Sequence, residues 1–129
     1  MPPRESKFGQ PKPLHPYAWL WEPLEPDPSF VLRAMFGTKA VYLDGKLLFC
    51  FSAKTAPWRG ILLCTSREYQ PSLLAEFPAL AQHPILAKWL YLPETADPFE
   101  RVGERLVTLA KLRDPRIGVV PPSRRRSHP

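Results

Sequence analysis

Apolar and polar positions alternate around one turn near the middle of the chain. Two runs rich in β-branched, aromatic and aliphatic residues, at positions 40–43 and 46–51, flank the dipeptide Asp44-Gly45. A type I′ turn requires positive φ at both central residues, and glycine adopts such angles without strain. The pattern therefore predicts a β-hairpin. Its expected opposed pairs are Leu43 with Lys46, Tyr42 with Leu47, Val41 with Leu48, Ala40 with Phe49 and Lys39 with Cys50.

Two further apolar runs extend this hairpin into a meander. One begins at Phe30 and contains Arg33, and the other, at 61–64, follows a loop at 52–59. Both faces of such a sheet carry apolar residues, so each face needs a cover. We expect helices on one face and, on the other, either the N-terminal segment or a second copy of the chain. Trp19 and Trp21 are an alternative contact for a homodimer.

The spacing of apolar residues becomes helical in the second half of the chain. Residues 67–77 predict a short helix capped by Ser66 or Ser72, residues 79–82 a further turn, and residues 88–93 a strand. The last helix is predicted to begin at Asp97-Pro98 with an Asp-x-x-Glu capping box. Its apolar face consists of Phe99, Val102, Leu106, Leu109 and Ala110. The fold class is therefore α+β, an antiparallel sheet of about four strands with two or three helices packed on one face.

Proline sets the first segment apart from the rest of the chain. Eight of the 18 prolines lie within the first 28 residues, a density that predicts neither regular helix nor sheet. The apolar cluster at 17–21 nevertheless needs burial, since one aromatic side chain buries roughly 150 to 250 Å². We expect residues 1–29 to form an extended, polyproline-like arm strapped over a domain at 30–120, with a flexible basic tail at 121–129. The alternative is that the cluster is an exposed docking motif for another protein.

The net charge of +6 is concentrated at the end of the sequence. Arg124, Arg125 and Arg126 supply half of it, so the remainder is only mildly basic. A polyanionic partner is therefore allowed without being required. No apolar run in the sequence approaches the roughly 18 residues that span a bilayer, and the first residues lack a signal-peptide pattern. We expect a cytoplasmic protein without membrane contact.

Residue patterns typical of catalysis or metal binding are not found. Cys50 and Cys64 lie within apolar runs, and a hairpin symmetric about Pro57 would place them opposite one another. The simpler interpretation is that they are small hydrophobic residues. His15, His83 and His128 have no metal-ligand spacing, and the sequence contains no nucleophile–base signature and no phosphate loop. The sequence therefore predicts a non-enzymatic protein without metal or cofactor.

Basic and aromatic residues of the two hairpins form the best candidate surface. They are Arg33, Lys39, Tyr42, Lys46, Trp58 and Arg59, to which Arg124, Arg125 and Arg126 would add phosphate contacts. Cations interleaved with aromatic rings suit phosphate binding and base stacking. The alternative interpretation is that the cations are solvated strand-edge residues and that Trp58 packs on the sheet. Another functional alternative is a small-ligand pocket between sheet and helices near Tyr42, Trp58 and Trp89.

Two short motifs resemble known families. Met35-Phe36-Gly37, Tyr42 and Gly45 are spaced as in the N-terminal domain of the TfoX family of competence regulators. The stretch at 83–92, in which a His-x5-Trp spacing precedes a strand and a last helix, is similar to the end of the MmcQ/YjbR-like domains. Together the likenesses cover about residues 30–112. They imply a small α+β domain with a regulatory or nucleic-acid-related role. We therefore expect a binding or regulatory module whose partner is a protein or a nucleic acid.

Overall fold

The computed structural model describes residues 15–35 and 37–121. One open antiparallel sheet of six strands, in the order β1-β2-β3-β4-β6-β5, organises them. The strands are β1 (Val31–Met35), β2 (Thr38–Leu43), β3 (Lys46–Ser52), β4 (Gly60–Leu63), β5 (Ala81–Gln82) and β6 (Leu90–Pro93). The α+β class is confirmed. The expected number of about four strands is too low, partly because the two-residue β5 is too short to produce a pattern in the sequence.

The predicted turn at Asp44-Gly45 is confirmed. Both residues have positive φ, 54° and 77° respectively. The two pairs next to the turn are also confirmed, Leu43 with Lys46 and Tyr42 with Leu47. Beyond them a β-bulge leaves one extra residue, Leu48, in β3. The pairs further out are Val41 with Phe49, Ala40 with Cys50 and Lys39 with Phe51. The three outer predicted pairs are therefore wrong by one residue, because an inserted residue shifts every pair that follows it.

The β3–β4 hairpin also differs from the predicted register. Cys50 pairs with Leu62, so the predicted opposition of Cys50 and Cys64 is wrong. Cys64 lies two residues further along the same face, and both thiols are free and buried. Diagonal neighbours of this kind have Cα atoms about 7 to 8 Å apart. A disulfide needs a shorter separation, so this register holds the two cysteines as a pair of thiols.

In the described part of the chain, three helices accompany the sheet. They are α1 (Ala18–Trp21), α2 (Gln70–Glu76) and α3 (Phe99–Lys111), with 3₁₀ turns at Glu22–Leu24 and Arg67–Tyr69. Both predicted helices in the second half are confirmed, and α3 buries Phe99, Leu106 and Ala110 on its apolar face. The predicted caps are wrong. Pro98 is the N-cap of α3, and no side chain caps α2, α3 or the 3₁₀ turn after Ser66. The further helical turn expected at 79–82 is also wrong, since 81–82 form β5.

The segment before the sheet is helical. Tyr17, Trp21 and Leu24 lie in or beside α1 and its following 3₁₀ turn, and all three are buried. Trp21 packs against Phe51 with ring centroids 5.2 Å apart, and Tyr17 packs against Phe99 at 5.3 Å. The expected extended conformation is therefore wrong for residues 17–24. Residues 1–14 of the proposed arm lie outside the described part of the chain.

The sheet buries both of its faces. On the helix face, residues of all three helices pack with strand residues that include Val41, Phe49, Phe51, Ile61, Leu63, Leu90 and Leu92. The opposite face, which we call the loop face, buries Ala40, Leu47, Cys50, Leu62, Cys64 and Tyr91. Residues from the connecting loops, including Trp58, Leu86 and Trp89, pack against it. These loops supply much of the cover that we expected from the N-terminal segment or a second copy. Residues 17–24 lie on the helix face instead.

The segment after α3 returns to the sheet. Val119 forms an isolated bridge with Leu47, and the Gly118 amide donates to the Cys64 carbonyl oxygen at 2.8 Å. Arg116 fixes the path between helix and sheet, because its guanidinium forms ion pairs with Asp114 at 2.8 Å and Glu76 at 2.9 Å. Within the described ranges, no helix has the length and apolar character needed to cross a membrane.

Candidate functional site

A pocket opens on the loop face of the sheet. Its volume is about 370 Å³, and its lining is mainly apolar: Met35, Thr38, Cys50, Lys54, Trp58, Leu62, Leu86, Lys88 and Trp89. Residues of β1 to β4 form its floor. The β3–β4 loop and the β5–β6 loop form its walls, each contributing one tryptophan and one lysine. Ligand pockets of small molecules usually have this size range and this mixture of apolar walls with few polar groups.

The β5–β6 loop is closed by hydrogen bonds at both ends of the His-x5-Trp spacing. The amide of His83 donates to the carbonyl oxygen of Trp89 at 3.1 Å, and the Trp89 amide donates to the Leu86 carbonyl oxygen at 2.9 Å. Inside the loop, Nδ1 of His83 accepts hydrogen bonds from the amides of Ile85 and Leu86, both at 3.0 Å. The buried imidazole therefore satisfies two amide groups that the tight loop leaves without a backbone partner.

The same histidine joins the two walls of the pocket. Since Nδ1 accepts two hydrogen bonds, Nε2 carries the proton, and it donates to the Pro57 carbonyl oxygen at 2.9 Å. The imidazole also stacks on Trp58, with ring centroids 4.2 Å apart. Burial lowers the pKa of His83, because the charged imidazolium loses its hydration. The neutral ring is thus the form that fits between the two loops.

The β3–β4 loop is fixed at its other end as well. The hydroxyl of Tyr91, on β6, donates to the Arg59 carbonyl oxygen at 2.6 Å. The Arg59 side chain donates to the Ala53 carbonyl oxygen at 2.7 Å and pairs with Glu94. This pairing lowers the pKa of Glu94. Arg59 therefore holds the loop in place, and its guanidinium is already engaged within the chain.

One thiol lies at the floor of the pocket and a second lies beside it in the same buried cluster. Cys50 lines the pocket directly, and Cys64 is its diagonal neighbour on the same face. A hydrogen bond with the Cys64 thiol lowers the pKa of Cys50, although burial acts in the opposite direction. Burial, followed by the same hydrogen bond, raises the pKa of Cys64. Cys50 is therefore the thiol of the pair that ionises first.

Both charged groups of the pocket are cationic. Lys54 and Lys88 line it, and no carboxylate is among its described lining residues. The ammonium group of Lys88 lies 5.3 Å from the centroid of the Trp89 ring, within the range of a cation–π contact. The Lys54 side chain passes close to Gly37, where a Cβ atom would come within 3.5 Å of its Cε and Nζ atoms. Both lysines are thus placed by neighbouring parts of the pocket wall.

The structure distributes the predicted basic surface over several places. Arg33 lies over the Tyr42 ring at 5.6 Å, and Tyr42 belongs to the cluster on the loop face. Lys39 pairs with Ala34 and Phe51 near the start of β2. Lys46 is at the β2–β3 turn, at the other end of the strand, about 17 Å away by the rise per residue. Of the six hairpin residues, only Trp58 lines the pocket. Arg124, Arg125 and Arg126 lie outside the described residues.

Several pocket residues carried no signal of ligand binding in the sequence. They are Met35, Thr38, Cys50, Leu62, Leu86 and Lys88, which come from five separate segments. The available signals were Trp58 beside Lys54, and the His-x5-Trp spacing that closes the β5–β6 loop. The pocket also lies on the opposite side of the sheet from the one that the small-ligand alternative expected, since the helices pack on the other face.

A second cavity lies on the helix face beside α3. It measures about 600 Å³, and four of its lining residues are carboxylates, namely Glu94, Asp97, Glu100 and Glu104. Trp19, of which 40% is exposed, borders this groove. Trp21 is buried against Phe51, so only Trp19 of the proposed dimer contact presents a surface. The acidic lining is unlike the cationic site that the sequence predicted.

Among residues 15–35 and 37–121, no three His, Cys, Asp or Glu side chains are grouped so that they could hold a metal ion. Comparisons with known proteins give no relative: no family model, no curated protein and no solved structure matches the chain.

Proposed function

We propose that the protein is a non-enzymatic binding module and that the pocket on the loop face holds a small, largely apolar ligand. The observation that carries this proposal is the pocket itself, about 370 Å³ with two tryptophans in its walls. Its shape is supported by hydrogen bonds within the chain, from His83 and Tyr91 to the β3–β4 loop. A pocket with its walls fixed in advance binds with a smaller ordering cost.

The volume sets the size of the ligand. A water molecule in the liquid takes up about 30 Å³. On that scale a cavity of about 370 Å³ has room for about a dozen non-hydrogen atoms. Two fused aromatic rings with one substituent match this size.

The experiment is a titration with 2-naphthylmethanol, a neutral molecule of this size, followed by two-dimensional ¹H–¹⁵N spectra. The indole N–H groups of the four tryptophans report separately. Saturable shifts are expected at Trp58 and Trp89, which line the pocket, and not at Trp19 and Trp21. Absence of a saturable shift at Trp58 and Trp89, or equal shifts at Trp19, would contradict the proposal.

Two matched variants locate the site. Leu86→Phe enlarges a side chain that lines the pocket, whereas Ile85→Phe changes a neighbouring side chain that is 62% exposed and does not line it. The first should weaken binding by about tenfold, equivalent to about 1.4 kcal/mol. The second should leave binding unchanged. Similar affinities of the two variants would count against the pocket as the binding site.

We propose binding to a nucleic acid as a second candidate function. It is supported by the contact between Arg33 and the Tyr42 ring, on the same face as the two tryptophans and two lysines of the pocket. The meander β1–β2–β3, in which Met35 ends β1, Tyr42 lies in β2 and Gly45 lies in the turn, supports a relation to the N-terminal domain of the TfoX family. Phe36 of that motif lies outside the described residues.

Binding of single-stranded DNA to the full chain at several salt concentrations tests this second candidate. Affinity should fall steeply between low and moderate salt, because each neutralised phosphate releases a counterion. Removal of residues 123–129 should weaken binding and reduce the slope. Absent or salt-independent binding would dispose of the nucleic-acid candidate and would leave the small-ligand proposal standing.

A further inference from the structure

The pocket combines apolar walls with two positive charges. Lys54 comes from the β3–β4 loop and Lys88 from the β5–β6 loop, so the ammonium groups belong to opposite walls. We propose that the ligand is an aryl or acyl compound with one anionic group, which Lys54 and Lys88 bind at the edge of the pocket. This inference rests on the proposed small-ligand function and adds the chemical class of the ligand.

The charge of the ligand is expected to be negative, because the charged side chains that line the pocket are positive. Two ammonium groups line it, and none of its described lining residues is a carboxylate. Both ammonium groups would attract an anionic ligand and repel a cationic one.

We expect the body of the ligand to be apolar, because the polar groups of Thr38 and His83 already form hydrogen bonds within the chain. The Thr38 hydroxyl donates to the Met35 carbonyl oxygen at 2.6 Å. The His83 ring uses both nitrogens within the chain. Cys50 and Cys64 are buried on this face and offer only weakly polar thiols. The interior therefore offers few free partners for the donors and acceptors of a nucleobase, and a buried polar group without a partner is costly.

The two tryptophans suit an aromatic or hydrocarbon body. Their faces provide a large, rigid contact area at a low cost in conformational entropy. The Lys88 ammonium group is held over the Trp89 ring, so the cation and the apolar wall are adjacent. A ligand that joins an apolar ring to an anionic substituent reproduces this adjacency. Carboxylate, phosphate and sulfonate share this chemistry.

The test compares three probes with the same ring system, namely 2-naphthoate, 2-naphthylmethanol and 2-naphthylmethylammonium. Titrations of the full chain are followed at the indole N–H signals of Trp58 and Trp89. The carboxylate should bind about tenfold or more tightly than the alcohol, because a hydrogen bond to a charged group is stronger than one between neutral groups. The ammonium probe should bind more weakly than both. 2-Naphthyl phosphate and 2-naphthalenesulfonate, titrated in the same way, decide which anionic group is preferred.

Lysine variants test whether Lys54 and Lys88 cause the preference for the anionic probe. Lys54→Gln and Lys88→Gln should each reduce the preference for 2-naphthoate over the alcohol several-fold, and the double variant should abolish it. Lys46→Gln removes the same charge at the β2–β3 turn, away from the pocket, and should leave the preference intact. Folding of each variant is checked by the dispersion of the same spectra.

The possible outcomes separate the two proposals. Binding of the alcohol and the carboxylate with equal affinity would overturn the anionic ligand while supporting the pocket. Failure of all the naphthyl probes to bind would overturn both proposals. A nucleotide such as adenosine monophosphate, tested in parallel, should bind more weakly than 2-naphthoate. Tighter binding of the nucleotide would overturn the apolar body of the ligand.

Discussion

The imidazole of His83 lies against the indole of Trp58, with ring centroids 4.2 Å apart and ring planes inclined by 36°. The same ring accepts hydrogen bonds from the β5–β6 loop and donates one to Pro57 in the β3–β4 loop. Because both loops share this one side chain, the two walls of the pocket form a single unit. Breaking the contacts of His83 would release both walls at once.

Acidification should therefore loosen the pocket. The pKa of His83 is lowered in the folded state by burial, so the unfolded chain binds the proton more readily. The stability that depends on the neutral ring is present above the unfolded pKa of about 6.5, and it is lost as the pH falls through the folded pKa. Urea denaturation at a series of pH values between 5 and 8 should show stability falling on the acidic side. A flat profile would contradict the assigned role of His83.

Two histidine variants separate the contributions to this profile. The pKa of His15 is also lowered, with burial as the main cause, so both residues act in the same direction. His83→Gln should flatten the profile and reduce the free energy of unfolding at pH 7.5 by about 2 kcal/mol, because a flexible glutamine amide does not reproduce the ring geometry that accepts from two amides and donates to Pro57. His15→Gln is the matched control, and Trp58 and Trp89 signals should move only in the His83 variant. Carboxylates with lowered pKa, such as Asp27 at about 2, titrate below this window.

The two thiols should differ in reactivity. Cys50 lines the pocket and its pKa is lowered by the hydrogen bond with Cys64, whereas burial raises the pKa of Cys64. Because the thiolate is the reactive form, iodoacetamide should label Cys50 about tenfold faster than Cys64 in the folded protein. Peptide mass spectrometry measures both rates. Cys50→Ser provides the control, and equal rates in the native protein would show that the two environments do not differ as described.

Two glycines with positive φ should respond very differently to alanine. A Cβ atom at Gly60 would lie 2.2 Å from the Leu92 carbonyl oxygen and 2.9 Å from the Glu94 amide nitrogen, both backbone atoms. Gly60→Ala should therefore cost about 3 kcal/mol or more. Gly45 has φ of 77° but no atom within 4 Å of the Cβ position, so Gly45→Ala should cost about 1 kcal/mol. Urea denaturation of both variants measures the two losses in the free energy of unfolding. Equal losses would show that the β6 backbone does not lie against Gly60.

Arg116 should contribute more to stability than Arg105, although both pair with Glu76. The side chain of Arg116 is 17% exposed and also pairs with Asp114, whereas that of Arg105 is 60% exposed and lies 3.6 Å from its partner. Arg116→Ala should cost about 1 to 2 kcal/mol, and Arg105→Ala less than about 0.5 kcal/mol. Thermal unfolding of both variants measures this. Equal losses would show that Arg116 does not anchor the segment after α3.

The sequence predicted the elements whose conformation depends on residues close to one another in the chain. The Asp44-Gly45 turn follows from the need for positive φ, and α3 follows from the spacing of Phe99, Leu106 and Ala110. The segment at 17–24 was predicted to be extended because of its prolines, but burial of Trp21 against Phe51 is achieved by a short helix. Tertiary packing decided the conformation there, and proline density alone did not indicate it.

The pocket could be predicted only in fragments. Trp58 with Lys54, and His83 with Trp89, were visible as neighbours in the sequence, whereas their meeting on the loop face depends on how two loops pack over the sheet. The cationic surface failed to assemble as expected for a simple geometrical reason. Lys39 and Lys46 are at opposite ends of the β2–β3 hairpin, and residues at opposite ends of a strand do not share a site.

The extra residue in β3 determines which side chains of that strand lie on the loop face, where the pocket is. Leu48 and Phe49 both point toward the helices, and Cys50 points toward the loops. If β3 alternated regularly from Leu47, Phe49 would point toward the loop face and Cys50 toward the helix face. A phenyl ring would then occupy the space above Leu62 that is open in this fold. Room for a ligand on the loop face therefore depends on the bulge, because the extra residue brings the small side chain of Cys50, and not the ring of Phe49, to that face.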